Sequence, residues 1–228
     1  MKCKIFGLLS ILLIAFTTEA LSQKENKEVI LMFSAGYQKP DISKLNDLLT
    51  QNNYSNIPDG FISGDISLYF KSGKKMYSFE LSNCDQWERE ENDNGIQSYF
   101  HSKGYNFSFG YKIFDKDYLE IYPIVGFVIN TARLEISKPI EPDSDFQELM
   151  KTVDNQNSYI ISNNSISAGF QTFTYINDLV FGLKTGYYSP FSKTDNWRIH
   201  SNTQLSNGVQ INPGGFYIRG SIGFRFNL

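Results

Sequence analysis

Hydrophobic and polar residues alternate with a period of two along eight segments of the chain. This alternation is typical of β-strands that have one apolar and one polar face. The segments are residues 28–38, 61–70, 75–83, 99–114, 118–133, 164–175, 178–189 and 215–226. A strand of a soluble sandwich has about five to six residues, whereas a tilted membrane strand needs about nine to eleven. The segment lengths therefore favour strands that cross a membrane.

The last segment shows the two faces most clearly. Its apolar face carries Phe216, Ile218, Gly220, Ile222, Phe224 and Phe226, and its other face carries Tyr217, Arg219, Ser221, Gly223 and Arg225. In the segments as a whole, charged residues are expected on the second face alone. Two closed barrels fit this pattern, a soluble lipocalin-like barrel with the apolar face inside and an outer-membrane barrel with that face toward lipid.

The volume of the lumen distinguishes these two barrels. An eight-stranded barrel has room inside only for packed side chains or one small ligand. The bulky apolar face would overfill that space, whereas the other face, rich in serine and glycine, suits a narrow lumen. We therefore predict that the apolar face points outward.

The connections between the segments alternate in length. They are residues 39–60, 71–74, 84–98, 115–117, 134–163, 176–177 and 190–214, which run long, short, long, short, long, short, long. Outer-membrane barrels have short periplasmic turns and long extracellular loops. This order therefore predicts that both ends of the barrel domain lie on the periplasmic side.

The N-terminus has the features of an export signal. Lys2 and Lys4 precede an apolar run at 5–16, and a small-x-small site ends at Ser22. Twelve apolar residues span about 18 Å as a helix, short of the roughly 30 Å of a hydrocarbon core. We expect residues 1–22 to be cleaved, which leaves 23–228 as the barrel domain. With a net charge of −3 and no basic patch expected, the sequence argues against a nucleic-acid partner.

With this terminal strand and loop pattern, the chain resembles the small eight-stranded outer-membrane β-barrel proteins of Gram-negative bacteria, of the kind of the OmpA transmembrane domain and OmpX. The resemblance covers residues 28–228 and rests on the export signal, the alternating loops and the final strand Gly-Phe-Tyr-Ile-Arg-Gly-Ser-Ile-Gly-Phe-Arg-Phe-Asn-Leu. It implies an all-β, antiparallel up-and-down transmembrane barrel among outer-membrane lipids and lipopolysaccharide. It also implies that the insertion machinery reads the last strand, although Leu228 stands where an aromatic residue is usual.

Seven charged residues are expected to point into the lumen. They are Asp65, Glu80, Lys184 and Arg219 in a central cluster, and Lys112, Glu120 and Arg225 nearer the periplasmic mouth. The register expected from the short turn at 71–74 puts Asp65 opposite Glu80. The cluster is either a salt-bridged plug or an ion gate or catalytic carboxylate pair. Because paired buried charges usually serve structure, the plug is favoured.

Two long loops contain helical patterns. In the first long loop (39–60), Asp41 is a candidate cap and is followed by Ile42, Leu45, Leu48 and Leu49. In the third long loop (134–163), called the third loop below, Asp145 is followed by Phe146, Leu149, Met150 and Val153. These helices would cover the barrel mouth, present an apolar patch to an extracellular partner, or guide a lipophilic molecule inward. The cover is the commoner use of such a helical face.

Enzymatic and metal chemistry have weak support. His101 and His200 lie at or beyond the outer ends of strands, and neither has the neighbours of a catalytic triad or the spacing of a metal site. Cys84, the single cysteine of the expected mature chain, is interpreted as a free thiol in a loop. The sequence predicts no cofactor and a structural or interaction role through the extracellular loops, with a largely closed lumen. A narrow channel for ions or small hydrophobic molecules is the alternative, and a lipid-modifying enzyme comes third.

Overall fold

Eight long antiparallel strands form a closed barrel in the computed structural model, which describes residues 27–86, 90–92, 95–116, 118–137, 156–191, 195–199, 203–205 and 208–228. The strands are β1 (Lys27–Asp41), β2 (Phe61–Ser72), β3 (Lys75–Asp85), β4 (Gln97–Tyr111), β5 (Leu119–Ser137), β6 (Gln156–Ile176), β7 (Leu179–Pro190) and β8 (Asn212–Asn227). Each strand pairs with the next, and β8 pairs with β1. The predicted all-β, up-and-down barrel is therefore confirmed.

Several strands continue beyond the predicted segments on the extracellular side. β6 begins at Gln156, eight residues before the segment that begins at 164, and β5 continues to Ser137. The polar run Ser162, Asn163 and Asn164 interrupts the alternation, which is why the sequence pattern missed this part of β6. At the opposite end β4 stops at Tyr111, whereas its segment was expected to reach 114.

The smaller elements lie in the connections. Helix α1 (Ser43–Gln51) lies in the first loop, and the short strands are Glu90–Glu91, Phe114–Lys116, Arg198–Ile199 and Thr203–Gln204. The pair Arg198–Ile199 and Thr203–Gln204 extends the sheet beside β6. Within the part of the chain that the structure describes, no helix is long and apolar enough to cross a membrane.

The turn between β2 and β3 corrects the predicted register. Gly73 has a φ of 56°, and the turn is so tight that Ser72 pairs with Lys75. Glycine adopts this backbone conformation without the steric cost that other residues meet. The pairing therefore differs by two from the expected one, so that Asp65 faces Ser82 and Glu80 faces Ser67, not each other. A shift of two keeps every side chain on its expected face.

The outward face is apolar, as predicted. Phe33, Phe170 and Phe224 are each 50% exposed on this surface. The exposed apolar residues of the outward face form a band around the barrel, called the apolar belt below. Exposed tyrosines lie near both of its ends, with Tyr37, Tyr105 and Tyr187 toward the extracellular end and Tyr111 and Tyr118 at the periplasmic end. Aromatic residues at both edges are typical of the membrane-facing surface of outer-membrane barrels.

The prediction that no charge lies on the outward face of the eight predicted segments is wrong at three positions. Lys75, Lys103 and Arg133 are exposed on that face. Lys75 begins β3 at the periplasmic turn, whereas Lys103 and Arg133 lie beyond the extracellular edge of the belt. Because these positions are outside the apolar belt, water or lipid headgroups can solvate the charges.

The interior of the barrel is arranged in layers. An apolar cluster under the extracellular loops includes residues of α1, β2 to β6 and the last loop. A central layer contains buried charged and polar side chains. A second cluster of aromatic, aliphatic and methionine side chains follows toward the periplasm. The charged layer is thus enclosed between two apolar layers.

The lumen as the candidate functional site

Arg219 lies at the centre of the lumen and is 1% exposed. Its Nη1 atom is 2.6 Å from Asp65 Oδ1 and donates to the Tyr188 hydroxyl at 3.3 Å. Its Nε donates to Ser63 Oγ at 3.1 Å, and its Nη2 donates to Gln38 Oε1 at 2.8 Å. Four side chains from β1, β2 and β7 therefore fix a guanidinium supplied by β8.

A second buried ion pair lies beside the first. Lys184 on β7 pairs with Glu80 on β3, and Ser78 donates a hydrogen bond to the same carboxylate at 3.2 Å. Each of the two central carboxylates thus has its own cation, which offsets the repulsion that two neighbouring buried acids would experience. The structure brings together the four predicted central residues as two ion pairs.

Stacked aromatic rings fill the space next to these charges. Tyr188 and Tyr217 stack with ring centroids 4.4 Å apart, and the Arg219 guanidinium lies 4.9 Å from the Tyr217 centroid. Tyr217 fits because Gly186 faces it. A Cβ atom at Gly186 would lie 2.5 Å from the Tyr217 hydroxyl oxygen, so a larger residue there would displace the ring.

An aromatic and methionine layer lies below the charges. The Phe173 ring lies edge-on to Tyr69 at 5.1 Å and to Tyr122 at 5.7 Å. Met32 and Met76 are fully buried in the same cluster. Flexible thioether side chains fill irregular gaps between rings, which makes this layer dense.

Lys71 organises a network of charges near the periplasmic mouth. Its Nζ atom lies 2.8 Å from Glu28 Oε2 and 2.6 Å from Glu120 Oε2, and it donates to the Tyr175 hydroxyl at 2.8 Å. Lys112 pairs with the other oxygen of Glu120 at 3.0 Å. The sequence reasoning missed Lys71 because it assigned this residue to a turn, although Lys71 continues the inward phase of β2.

The other predicted residue of this mouth, Arg225, lies 3.7 Å from Glu28 Oε1. The network surrounds an open recess of about 460 Å³, whose lining includes Glu28, Lys71, Lys112 and Glu120. Lys71 Nζ, on the lining of the recess, lies 6.0 Å from the centroid of the Tyr122 ring in the aromatic layer. Structurally the recess is an entrance to the periplasmic end of the lumen.

Helix α1 covers the extracellular mouth. Ile42, Leu45 and Leu49 are buried in the apolar cluster, whereas Leu48 is 41% exposed. Asn46 fixes the helix to the rest of the loop, since its side chain donates to the Ile57 carbonyl and accepts from the Ile57 amide, both at 2.8 Å. The helix prediction is confirmed for this loop.

The predicted cap of this helix is wrong. The helix begins after Ile42, which makes no side-chain capping bond, and Asp41 accepts a hydrogen bond from Ser43 Oγ at 3.0 Å. The position expected for Cys84 is also corrected. Cys84 lies in β3 and is buried in the extracellular apolar cluster, because β3 continues to Asp85.

His101 lies on the outward face of β4 opposite Arg133. Asp85 is its register partner on β3, and this carboxylate accepts hydrogen bonds from Asn83 and, at 3.4 Å, from Tyr99. In the part of the chain that the structure describes, His101 forms no ion pair, and no group of three or more metal-ligating side chains lies close enough to hold a metal ion.

Some predicted features lie outside the described residues. They are the export signal at 1–22, His200, and the third-loop patch of Phe146, Leu149 and Met150. They stay predictions.

Comparison with solved structures identifies the fold. The major outer membrane protein of Thermus thermophilus has 11% sequence identity and a TM-score of 0.52, and the match covers 88% of this chain and 99% of that one. The chain has the fold of a small outer-membrane β-barrel. No protein-family model matches the sequence, and no curated protein matches it.

Two other solved structures match the barrel. Ail, the attachment invasion locus protein of Yersinia pestis, has 13% identity and a TM-score of 0.49 over 89% of this chain and 99% of that one. Neisserial surface protein A has 8% identity and a TM-score of 0.45 over 87% of this chain and 97% of that one.

Proposed function

We propose that this protein is an outer-membrane barrel with a closed lumen and that it acts as a scaffold for its extracellular part. The observation that carries the proposal is the burial of the central side chains. Glu80 and Tyr217 have no exposed surface, and Arg219 has almost none. A side chain that lines a water-filled passage would be exposed to water, so the burial of these side chains favours a plug.

The outer surface supports residence in the outer membrane. The apolar belt is bordered by tyrosines at both edges, and the described periplasmic turns are short. Exposed apolar surface of this extent is unfavourable in water and favourable in lipid. A closed barrel with such an outer face therefore fits the outer membrane.

A channel would have to open three successive layers. An ion would meet the apolar extracellular cluster, then the two ion pairs, then the aromatic and methionine layer. The donors of Arg219 are already engaged by four side chains, so moving it would break several buried hydrogen bonds at once. Passage of small hydrophobic molecules would in addition require α1 to leave the mouth.

Catalysis at the central carboxylates is also disfavoured. Asp65 and Glu80 are each held by a cation and buried, whereas a general base must reach a proton of its substrate. We therefore propose a role that is structural or interactive, and not enzymatic. The predicted extracellular partner would contact the loops, including the third-loop patch of Phe146, Leu149 and Met150.

The C-terminal strand supports the proposed recognition by the insertion machinery. β8 ends with Phe224 and Phe226 exposed on the outward face, and Leu228 donates its backbone N–H to the Lys27 carbonyl at 3.0 Å. Since β8 and β1 are the strands that close the barrel, this pairing completes its hydrogen-bonded wall.

Cell fractionation tests the proposed residence. We expect the protein to sediment with outer membranes and to migrate faster on SDS gels when unheated, since a closed barrel resists unfolding by detergent. Protein that is heated first should migrate as the unfolded chain and provides the control. Recovery from the soluble periplasmic fraction without detergent would contradict the proposal.

A further inference from the structure

Three cations form a basic patch on the outward face beyond the extracellular edge of the apolar belt. The basic patch consists of Lys103 on β4, Arg133 on β5 and Arg198 on the short strand beside β6. Arg133 and Arg198 both pair with Ile160 of β6, one from each side. Because neighbouring strands are about 4.8 Å apart, the Cα atoms of the two arginines are separated by roughly 10 Å.

Lys103 belongs to the same surface. It pairs with Thr131, two residues before Arg133 on the same strand, so it lies one diagonal step from that arginine. Diagonal neighbours on one face of a sheet are about 7–8 Å apart. Long side chains at these positions can therefore contact one bound group together.

The height of the basic patch places it beside lipid headgroups. On the outward face of β4, Lys103 lies two residues beyond the exposed Tyr105 toward the extracellular side. On the outward face of β5, Arg133 lies four residues beyond Ile129 in the same direction. For a strand tilted by about 40°, each step of two residues rises roughly 5 Å along the barrel axis. Lys103 and Arg133 therefore lie roughly 5 and 10 Å beyond the last apolar row, within the layer that headgroups of the outer leaflet occupy.

Two neighbouring carboxylates, Glu135 and Asp85, compensate part of the positive charge of the basic patch, and its three cations leave a net charge of +1. Among the residues that the structure describes, Lys103 and Arg198 form no ion pair, and Arg133 has one partner, Glu135, at 3.7 Å. The carboxylate of Asp85, in the next strand, is turned to Asn83 and Tyr99. An anion from outside the chain would complete this surface.

We propose that the basic patch binds the phosphate groups of a phosphorylated glycolipid of the outer leaflet. Arginine matches phosphate oxygens with paired N–H donors, and two arginines on either side of Ile160 can hold one phosphorylated sugar between them. The exposed Tyr105, Phe127 and Ile166 below would contact the acyl chains of the same lipid. This inference rests on the proposed residence in the outer membrane and names the lipid that the barrel selects there.

Native mass spectrometry of the full chain in lipid nanodiscs provides the test. The nanodiscs contain phosphatidylcholine with a minor fraction of diphosphoryl lipid A, and the measurement is the amount of lipid A retained per barrel. The variant replaces Lys103, Arg133 and Arg198 by glutamine. The matched control replaces Lys74, Lys75 and Lys116, three exposed lysines at the periplasmic end, by glutamine.

We expect the patch variant to bind diphosphoryl lipid A at least about tenfold more weakly than the unmodified chain, since each basic residue adds to the attraction of anionic headgroups. The periplasmic control should stay near the unmodified chain. The charge-keeping variant Lys103→Arg, Arg133→Lys, Arg198→Lys should retain most of the binding. Equal retention by the patch variant and the control would overturn the proposal.

A second comparison uses the unmodified chain and does not depend on the folding of any variant. Lipid A without its phosphates should be retained about tenfold less than the diphosphoryl form. Equal retention of both forms would overturn the proposal, as would displacement of lipid A by inorganic phosphate alone, which would indicate a site for free anions. A heat-modifiable, membrane-embedded barrel without lipid preference would contradict this inference alone, whereas soluble protein would contradict the proposed function.

Discussion

Replacing Arg219 by alanine should destabilise the folded barrel by on the order of 3–5 kcal/mol. The change leaves the Asp65 carboxylate buried without its cation and removes the hydrogen bonds that Gln38, Ser63 and Tyr188 now accept. An uncompensated buried charge is among the most costly defects of a protein interior. The measurement is urea unfolding in detergent micelles. Unfolding is monitored as the fraction of the protein that shows heat-modifiable mobility on SDS gels.

Arg225→Ala is the matched control for this prediction. Arg225 is a partly exposed arginine of the same strand, and its ion pair with Glu28 is longer, at 3.7 Å. Its loss should cost at most about 1 kcal/mol. Combining Arg219→Met with Asp65→Leu should recover much of the lost stability, because neither charge then remains unpaired. Equal costs for Arg219→Ala and Arg225→Ala would show that the central ion pair does not hold the lumen together.

Replacing Val125 by arginine should lower the stability of the inserted barrel by about 2–4 kcal/mol. Val125 is 52% exposed on the outward face of β5, midway along the apolar belt between Ile121 and Ile129. A charge at this depth would lie in hydrocarbon. The fraction of folded, membrane-inserted protein after refolding into lipid vesicles measures the effect.

The control for Val125 is Thr131→Arg, which places the same side chain on the same face of the same strand. Thr131 is exposed beyond the belt, next to Lys103, where a cation already lies. Insertion should be nearly unchanged in this variant. If both arginines were tolerated equally, the outward face of β5 would not be in contact with lipid.

The faces of the strands could be predicted because side chains alternate strictly along a strand. The inward orientation of Arg219 and the outward orientation of Phe216 follow from one short stretch of sequence. Predicting them requires no knowledge of the neighbouring strands. The register is harder, since it depends on how tightly a turn closes. The tight turn at Gly73, which has a left-handed conformation, shifts the pairing of β2 with β3 by two residues from the expected register. Asp65 therefore does not face Glu80 directly.

The extracellular cluster could be predicted only in part. The helical pattern of Leu45 and Leu49 indicated α1 from local sequence, since a helix repeats within a few residues. Their packing against Phe100 and Trp197 joins residues far apart in the chain, and no local pattern encodes that contact. Lys71 was missed for a related reason, because the end of β2 is set by its pairing with β3 and not by its own residues.

The proposed closure of the lumen is tested most directly by electrical recording of the unmodified protein in planar lipid bilayers. The account predicts no steady current, because two ion pairs and two apolar layers fill the lumen. Discrete, stable conductance steps from the unmodified, folded barrel would contradict the account and would favour a channel.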